Sequence, residues 1–199
     1  EYKYPYENLL KLPTKVSVSE LTEKQGTDFS AENVRPSLLE GEGLSPAEKG
    51  TALHAFMQYC RLDALRSESG AAEEVERLVE EKFILPKQGA AVDTAKAAAF
   101  GSSPVYKRIC AAKKLWREFR FNIEVPANEI YEEAADTDAK ILLQGMADLV
   151  FEEDGGAVIL DYKTDRVSSP EALIERYSGQ LNSYARAVQE ILGVPVKEK

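Results

Sequence analysis

Apolar side chains recur at two spacings along this chain, and the change of spacing divides it. Leu53, Phe56, Met57 and Cys60 return every three or four positions, which is one face of a helix. Ser45 ahead of them is a good N-cap, Pro46 suits the first helical position, and Glu48 completes a capping box. The spacing therefore predicts a helix from Ser45 to about Leu65. Val75, Leu78, Val79 and Phe83 repeat the helical period over Glu73–Phe83, with an acidic face read as solvated and Pro86 as the stop. Thr94 to Phe100 is an Ala-rich helix, and Ser103-Pro104 opens another that runs to about Ala112. These helices are expected to cover one side of a sheet and to carry no chemistry.

From Leu115 the spacing shortens to that of a strand, with Trp116 and then Phe119, Phe121, Ile123 and Val125 apolar. Residues 127 to 140 are acidic and Ala-rich and read as an exposed loop. Leu143–Glu152 and Gly156–Lys163 read as the two arms of a β-hairpin joined at Asp154-Gly155, a favoured pair for a type I′ turn. Ser168 or Ser169 with Pro170 begins a helix that continues through Tyr177–Leu192 and ends at Gly193. Val194-Pro195-Val196 opens a last strand. Residues 1 to about 40 read as an extended, Pro-punctuated entry segment with a short element at Ser17–Glu23, capped by Ser19.

The hairpin holds the most informative chemistry. If Asp154 and Gly155 form the loop, Asp148 and Asp161 stand directly opposite each other, with Cβ atoms roughly 5 Å apart. Lys163 lies two residues beyond Asp161 and shares its face. Facing carboxylates repel unless something offsets the charge, and a hard divalent cation does so. Ala157-Val-Ile-Leu160 marks the second arm as buried on both faces, where an unpartnered Asp161 would be costly. The lysine can hold an anion or orient a water.

Composition narrows the class. The chain has 199 residues, 44% of them hydrophobic and 30% charged, as expected of one globular domain with a sizeable core. No apolar run is long enough to span a bilayer, and Glu1-Tyr-Lys-Tyr-Pro-Tyr6 is no signal peptide, so no membrane partner and a cytoplasmic setting are expected. The absence of an initiating Met leads to the expectation of a piece of something longer. Cys60 and Cys110 are too few for an iron–sulfur cluster or a disulfide scaffold, and are read as reduced, buried thiols. The net charge of −9 argues against a free-standing DNA binder. Any polyanion partner would need that charge offset, by metal ions at the carboxylates or by a larger partner delivering the strand. Lys107, Arg108, Lys113, Lys114, Arg117 and Arg120 form a local basic run, which is either a DNA contact or a solvated face.

Asp-x-Lys after a hydrophobic strand, with an acidic residue on the preceding strand, resembles the PD-(D/E)xK nuclease pattern. Four ordered motifs resemble its RecB-type subfamily: Gly50-Thr-Ala-Leu-His54, Gly145-Met-Ala-Asp148, Asp161-Tyr162-Lys163-Thr164 and Gln180-Leu-Asn-Ser-Tyr184. Leu12-Pro-Thr-Lys-Val-Ser-Val-Ser-Glu-Leu21 is similar to the lead-in of the C-terminal nuclease domain of AddA-type helicase–nucleases. The resemblance implies an α/β nuclease core with a central mixed sheet flanked by helices. It implies one nuclease domain over 1–199, with 1–40 as lead-in and 45–199 as core, cut from a longer helicase–nuclease chain.

It further implies hydrolysis of phosphodiester bonds by a metal-activated water. Asp148, Asp161 and His54, the chain's one histidine, would be metal ligands, with the backbone carbonyl of Tyr162 as a fourth. Lys163 would be catalytic, and Gln180 and Tyr184 would position DNA. Thr164 and Asp165 are supporting candidates. Glu118 matches a strand glutamate of the family and either supports the metal site or forms a surface pair. Mg²⁺ is the implied ion, with Mn²⁺ a substitute and Ca²⁺ an inhibitor, and one metal or two stays open. The implied substrate is single-stranded DNA from unwound duplex ends, the strand that ends 3′, in double-strand-break repair and recombination. The implied partner is an AddB-like protein. No Gly-x-x-x-x-Gly-Lys-Ser/Thr loop is present, so ATP would be used only by a helicase part outside these residues. The alternatives are a stand-alone Cas4-like or phage exonuclease, and a decayed nuclease fold that binds DNA or protein.

Overall fold

The computed structural model describes residues 9–10, 12–25, 44–164 and 169–199. Most of the entry segment and Asp165 lie outside the described residues. The elements in chain order are β1 (Lys15–Ser17), α1 (Val18–Gln25), α2 (Pro46–Tyr59), α3 (Glu68–Glu80), α4 (Pro86–Gly89), α5 (Thr94–Gly101) and α6 (Pro104–Ala111). After these come β2 (Lys114–Pro126), β3 (Lys140–Glu153), β4 (Gly156–Leu160), α7 (Pro170–Leu192) and β5 (Val196–Glu198). The sheet is mixed. β1 runs parallel to β3, β2 and β4 run antiparallel to it, and β5 runs parallel to β4. No helix among the described residues is long and apolar enough to cross a membrane.

β3 is the axis of the sheet. β2 covers one of its edges from Lys140 to Glu152. The other edge is shared: β1 takes Leu142–Gln144 and β4 takes Leu149–Glu153. On that edge, among the described residues, no strand lies beside Gly145–Asp148, which leaves a notch in the sheet. One face packs on α7, with Tyr184, Ala187 and Val188 against Phe119, Phe121, Ile123 and Leu143. The other face meets the α2–α6 layer, with Ile109 against Leu149, Phe151 and Val158. The apolar periods of the sequence thus became three clusters, one under α7, one between the sheet and α6, and one within the helical layer around Phe56, Met57 and Leu78.

Several local readings hold. Ser45 accepts from the Glu48 N–H while Glu48 accepts from the Ser45 N–H, the capping box at the start of α2. Asp154 and Gly155 have φ of 46° and 74°, as a type I′ turn demands. Ser169 caps α7, which stops at Gly193.

Other readings need correction. α2 ends at Tyr59 rather than near Leu65, and a 3-10 helix at Leu62–Arg66 follows. The helix is stopped from outside: the Arg61 N–H donates to Glu74 and the Arg117 side chain takes up its last carbonyls. Ser17, not Ser19, caps α1, exchanging bonds with Glu20. α3 ends at Glu80, six residues before Pro86, because Lys82 turns left-handed with φ 63°, and Pro86 starts α4 instead. That turn leaves Phe83 48% exposed against Tyr59 rather than inward. Cys60 is buried, which pushes its thiol up to about 11, but Cys110 is exposed. Residues 127–140 are largely exposed as read, yet two buried alanines, Ala127 and Ala134, pin them to the α7-side core.

The acidic face of α3 is not wholly solvated either. Glu74 is fully buried and accepts from Arg77, from the Arg61 side chain and from the Arg61 N–H. Burial works to raise its carboxyl, but these bonds outweigh it and hold the group at about 2, against an ordinary 4.5. A carboxyl depressed in the folded state adds stability above its unfolded value and loses it as the pH falls. Glu74→Gln is therefore expected to cost about 3 kcal/mol at pH 7. It should also remove the part of acid destabilisation that falls between pH 4.5 and about 2. Melting curves across that range check this, and an unchanged pH profile would contradict the buried pairing.

Candidate active site

The register of β3 and β4 pairs Leu149 with Leu160 and Glu153 with Gly156. Continued by one residue, it sets Asp148 opposite Asp161. The register of β2 and β3 pairs Arg117 with Leu149 and Phe119 with Ala147, which sets Glu118 opposite Asp148 on the other edge. Three carboxylates from three adjacent strands thus stand at one level of the sheet, beside the notch.

The in–out alternation of both long strands breaks at that level. Along β3, Ala147 and Val150 both face the α7 core although they are three apart. Along β2, Trp116 and Phe119 do the same, while Leu115 and Leu149 face the α6 side. Glu118 absorbs the phase change with φ 53°, a left-handed conformation that costs a non-glycine residue about 1–3 kcal/mol. Strain of this kind persists where the surroundings enforce it, and here they do. The Arg117 Nη1 donates to the carbonyls of Met57, Gln58 and Cys60 at 3.2, 3.1 and 2.6 Å, tying the C-terminal end of α2 to β2.

That tie brings His54 of α2 to the carboxylates. His54 Nδ1 donates to Asp148 Oδ1 at 3.1 Å, and the Tyr162 N–H donates to Asp148 Oδ2 at 2.6 Å. The bond to Asp148 raises the imidazole above its ordinary value, against the effect of burial. Ligand atoms of His54, Glu118 and Asp148 all lie within 4.8 Å of one another, a spacing suited to holding a metal ion. Burial, followed by the charge of Asp148, raises the Glu118 carboxyl. The sequence left Glu118 open between metal support and a surface pair, and the geometry sets it among the possible ligands.

Asp161 does not belong to that trio but lines a cavity with His54 and Asp148. Its side chain is 5% exposed; Lys163 Nζ pairs with Oδ2, and Oδ1 has no hydrogen-bond partner among the described residues. Burial raises its carboxyl more than Lys163 lowers it. Lys163 also lies over the Tyr177 ring at 4.7 Å. On the α7 side, Gln180 Nε2 donates to Tyr184 Oη at 2.6 Å, and the buried Gln180 Oε1 has no donor among the described residues. Burial raises the Tyr184 hydroxyl above its ordinary value. The cavity of about 460 Å³ thus joins His54, Asp148, Asp161, Lys163, Gln180 and Tyr184. Thr164 lies outside its lining, and its Oγ1 would stand 3.5 Å from a Cβ at Gly50, where α2 approaches the end of the hairpin. Tyr162 packs its ring among Phe100 and the α2 side, with its N–H on Asp148.

The basic run does not act as one surface. Arg108 pairs with Glu153 and Glu198, Lys114 with Glu152, and Arg117 holds α2. Arg120 is the member that lines the cavity. Gly145 lines it too, and its lack of a side chain is a packing requirement: a Cβ there would come within 2.4 Å of Phe121 Cζ and 3.1 Å of Val18 Cγ2. Gly145→Ala is expected to cost about 1–3 kcal/mol by overpacking the floor of the notch, read as a lower melting temperature. An unchanged melting temperature would show that Phe121 yields freely.

Residues 4–198 match the PD-(D/E)XK nuclease superfamily. The chain belongs to that superfamily. Its mixed sheet flanked by helices is the α/β core that the sequence motifs implied. This nuclease-family chain is also 38% identical over 211 residues to the A subunit of the ATP-dependent helicase/nuclease of Clostridium botulinum. It is 35% identical over 211 residues to the protein of that name from Desulforamulus reducens, and 37% over 223 residues to that from Geobacillus thermodenitrificans. These alignments take in 100%, 100% and 99% of this chain but only 16%, 17% and 18% of the relatives, so it spans about a sixth of their length. PD-(D/E)XK nucleases use divalent metals, and the His54, Glu118 and Asp148 cluster is a possible site for one.

Proposed function

We propose that this chain is the Mg²⁺-dependent nuclease domain of an AddA-type, ATP-dependent helicase–nuclease. It hydrolyses phosphodiester bonds of unwound single-stranded DNA, the strand that ends 3′. Its setting is the cytoplasmic repair of double-strand breaks by recombination, with an AddB-like protein as partner. The observation that carries the reading is the meeting of His54, Glu118 and Asp148 within 4.8 Å, with Asp161 and Lys163 in one cavity with His54 and Asp148. The names of the relatives support the helicase–nuclease context.

The donor set fits a divalent cation. Carboxylates with one imidazole suit Mg²⁺ or Mn²⁺, and the buried Asp161 Oδ1, without a hydrogen-bond partner among the described residues, is what a cation would satisfy. Asp148, Asp161 and His54 would hold it, with Glu118 and the Tyr162 carbonyl as further ligands. When bound, such an ion polarises the phosphodiester and makes water a better nucleophile. Lys163 orients the attacking water and stabilises charge developing on the phosphate. Gln180 Oε1 holds a water or a nucleotide donor over the cavity, and the Tyr184 hydroxyl fixes that amide.

The test is cleavage of single-stranded DNA, labelled at either end, by chelator-treated protein resupplied with Mg²⁺, Mn²⁺ or Ca²⁺. Cutting restored by Mg²⁺ or Mn²⁺ and not by Ca²⁺ is the expected result, and comparing the two labels reads the polarity. Cutting that ignores the chelator would overturn the reading, as would a chain that neither cuts nor binds Mn²⁺ in calorimetry.

A further inference from the structure

We infer that the sheet face opposite α7, running from the carboxylates past Met146, Arg120, Asn122 and Gln144, seats the nucleic-acid strand beyond the bond that is cut, with Arg120 as its phosphate contact. The inference rests on the proposed nuclease reading for the identity of the occupant.

Phe119 and Phe121 point to the α7 core, and Phe121 meets the Tyr184 ring edge-on at 5.8 Å. The residues between and beyond them, Arg120 and Asn122, therefore project from the opposite face, and both are exposed. Same-face residues on a strand advance by about 6.8 Å, so Arg120 and Asn122 stand one and two such steps from the level of Glu118. Their partners on β3 are Met146 and Gln144, and Gln144 in turn pairs with Ser17 of β1. Arg120, Asn122, Gln144, Met146, Ser17 and Ser19 line one continuous cavity with the carboxylates, so the surface adjoins the reacting centre directly.

Charge favours a polyanion here. Those six residues include one cation and no carboxylate, in a chain of net charge −9. Among the described residues Arg120 makes no hydrogen bond or close ion pair, in contrast to Arg108, Lys114 and Arg117, although its charge reaches Glu118 across the strand. A guanidinium held open beside a carboxylate cluster is suited to bidentate contact with a phosphate. Met146, 37% exposed, offers an apolar contact to an unstacked base, which a single strand presents and a duplex hides. The amides of Asn122 and Gln144 can bond phosphate or base edges of any sequence.

The test measures anisotropy of a labelled oligothymidylate of about twenty nucleotides, more than one site's length, with Ca²⁺ present, over a range of salt. Arg120→Ala is expected to weaken binding at least about fivefold and to make the log–log salt slope shallower by about 0.7, one phosphate contact on a single strand. Asn122→Lys should tighten binding and steepen the slope by about the same amount. Calorimetric affinity for Mn²⁺ should stay within about twofold in both variants, which separates loss of the strand contact from damage to the carboxylates. Wild-type slopes in both variants, no binding by the wild type, or tighter binding to a duplex of equal length would each overturn the inference. Binding that depends on Arg120 without cleavage under any metal would sink the nuclease reading and leave the strand surface standing. Cleavage that is indifferent to Arg120 would do the reverse.

Discussion

Asp161→Ala is expected to lower metal-dependent cleavage of single-stranded DNA by at least about a thousandfold, a rise of some 4 kcal/mol in the barrier. In metal-free buffer its melting temperature should stay the same or rise by up to about 4 °C. Both outcomes come from one feature. The Asp161 carboxylate is buried, feels the charge of Asp148 and has one partner among the described residues, the Lys163 ammonium. Without a cation that arrangement is a cost to the fold, and with one, on the proposed reading, the carboxylate would serve as a ligand. The pH dependence has a definite sign. Burial raises this carboxyl above its ordinary 3.8, so its contribution to stability is most favourable below that value and is lost as the pH rises through the folded-state value. The stability gained by Asp161→Ala should therefore be larger at pH 7 than at pH 4. A large drop in melting temperature with cleavage retained would mean that Asp161 is structural.

Lys163→Ala should lower cleavage by about a hundred- to a thousandfold, the usual loss when a group that stabilises transition-state charge is removed. Its affinity for Mn²⁺ should be unchanged or somewhat tighter. The lysine is not a ligand, and its charge lies against Asp161, where it competes with a cation for the same oxygens. Calorimetry beside kinetics separates the two roles. If Mn²⁺ binding disappears with the ammonium, the lysine is holding the carboxylate in place rather than acting on water or phosphate.

Much of this centre was legible because it depends on local arithmetic. The Asp154-Gly155 turn sets the hairpin register, and the register sets Asp148 opposite Asp161. The capping box at Ser45 and Glu48 needs only three residues of chain. What could not be read depends on contacts from far along the sequence. α2 stops at Tyr59 because Arg117 and Glu74 take up its end, and nothing near Leu65 announces that. Glu74 sits among solvated glutamates in the sequence and is fully buried in the fold, because two arginines converge on it. Phe83 looked inward by period, but the left-handed Lys82 turns the chain before it. Glu118 is an intermediate case. The three-residue step from Trp116 to Phe119 already breaks the strand period, a visible sign of irregularity. Its place opposite Asp148 follows only from the pairing of β2 with β3.

The notch in the sheet has a bearing on when this centre comes into being. Its two sides are β1 and β4, drawn from opposite ends of the chain and docked on the same edge of β3. Such distant pairings close late, after the entropy of long loops has been overcome. A partly folded or nascent chain can form the hairpin and still lack one wall of the cleft, along with the helix that brings the imidazole. The grouping of His54, Glu118 and Asp148 is then complete only once the fold is, and a half-made copy lacks the assembled cluster.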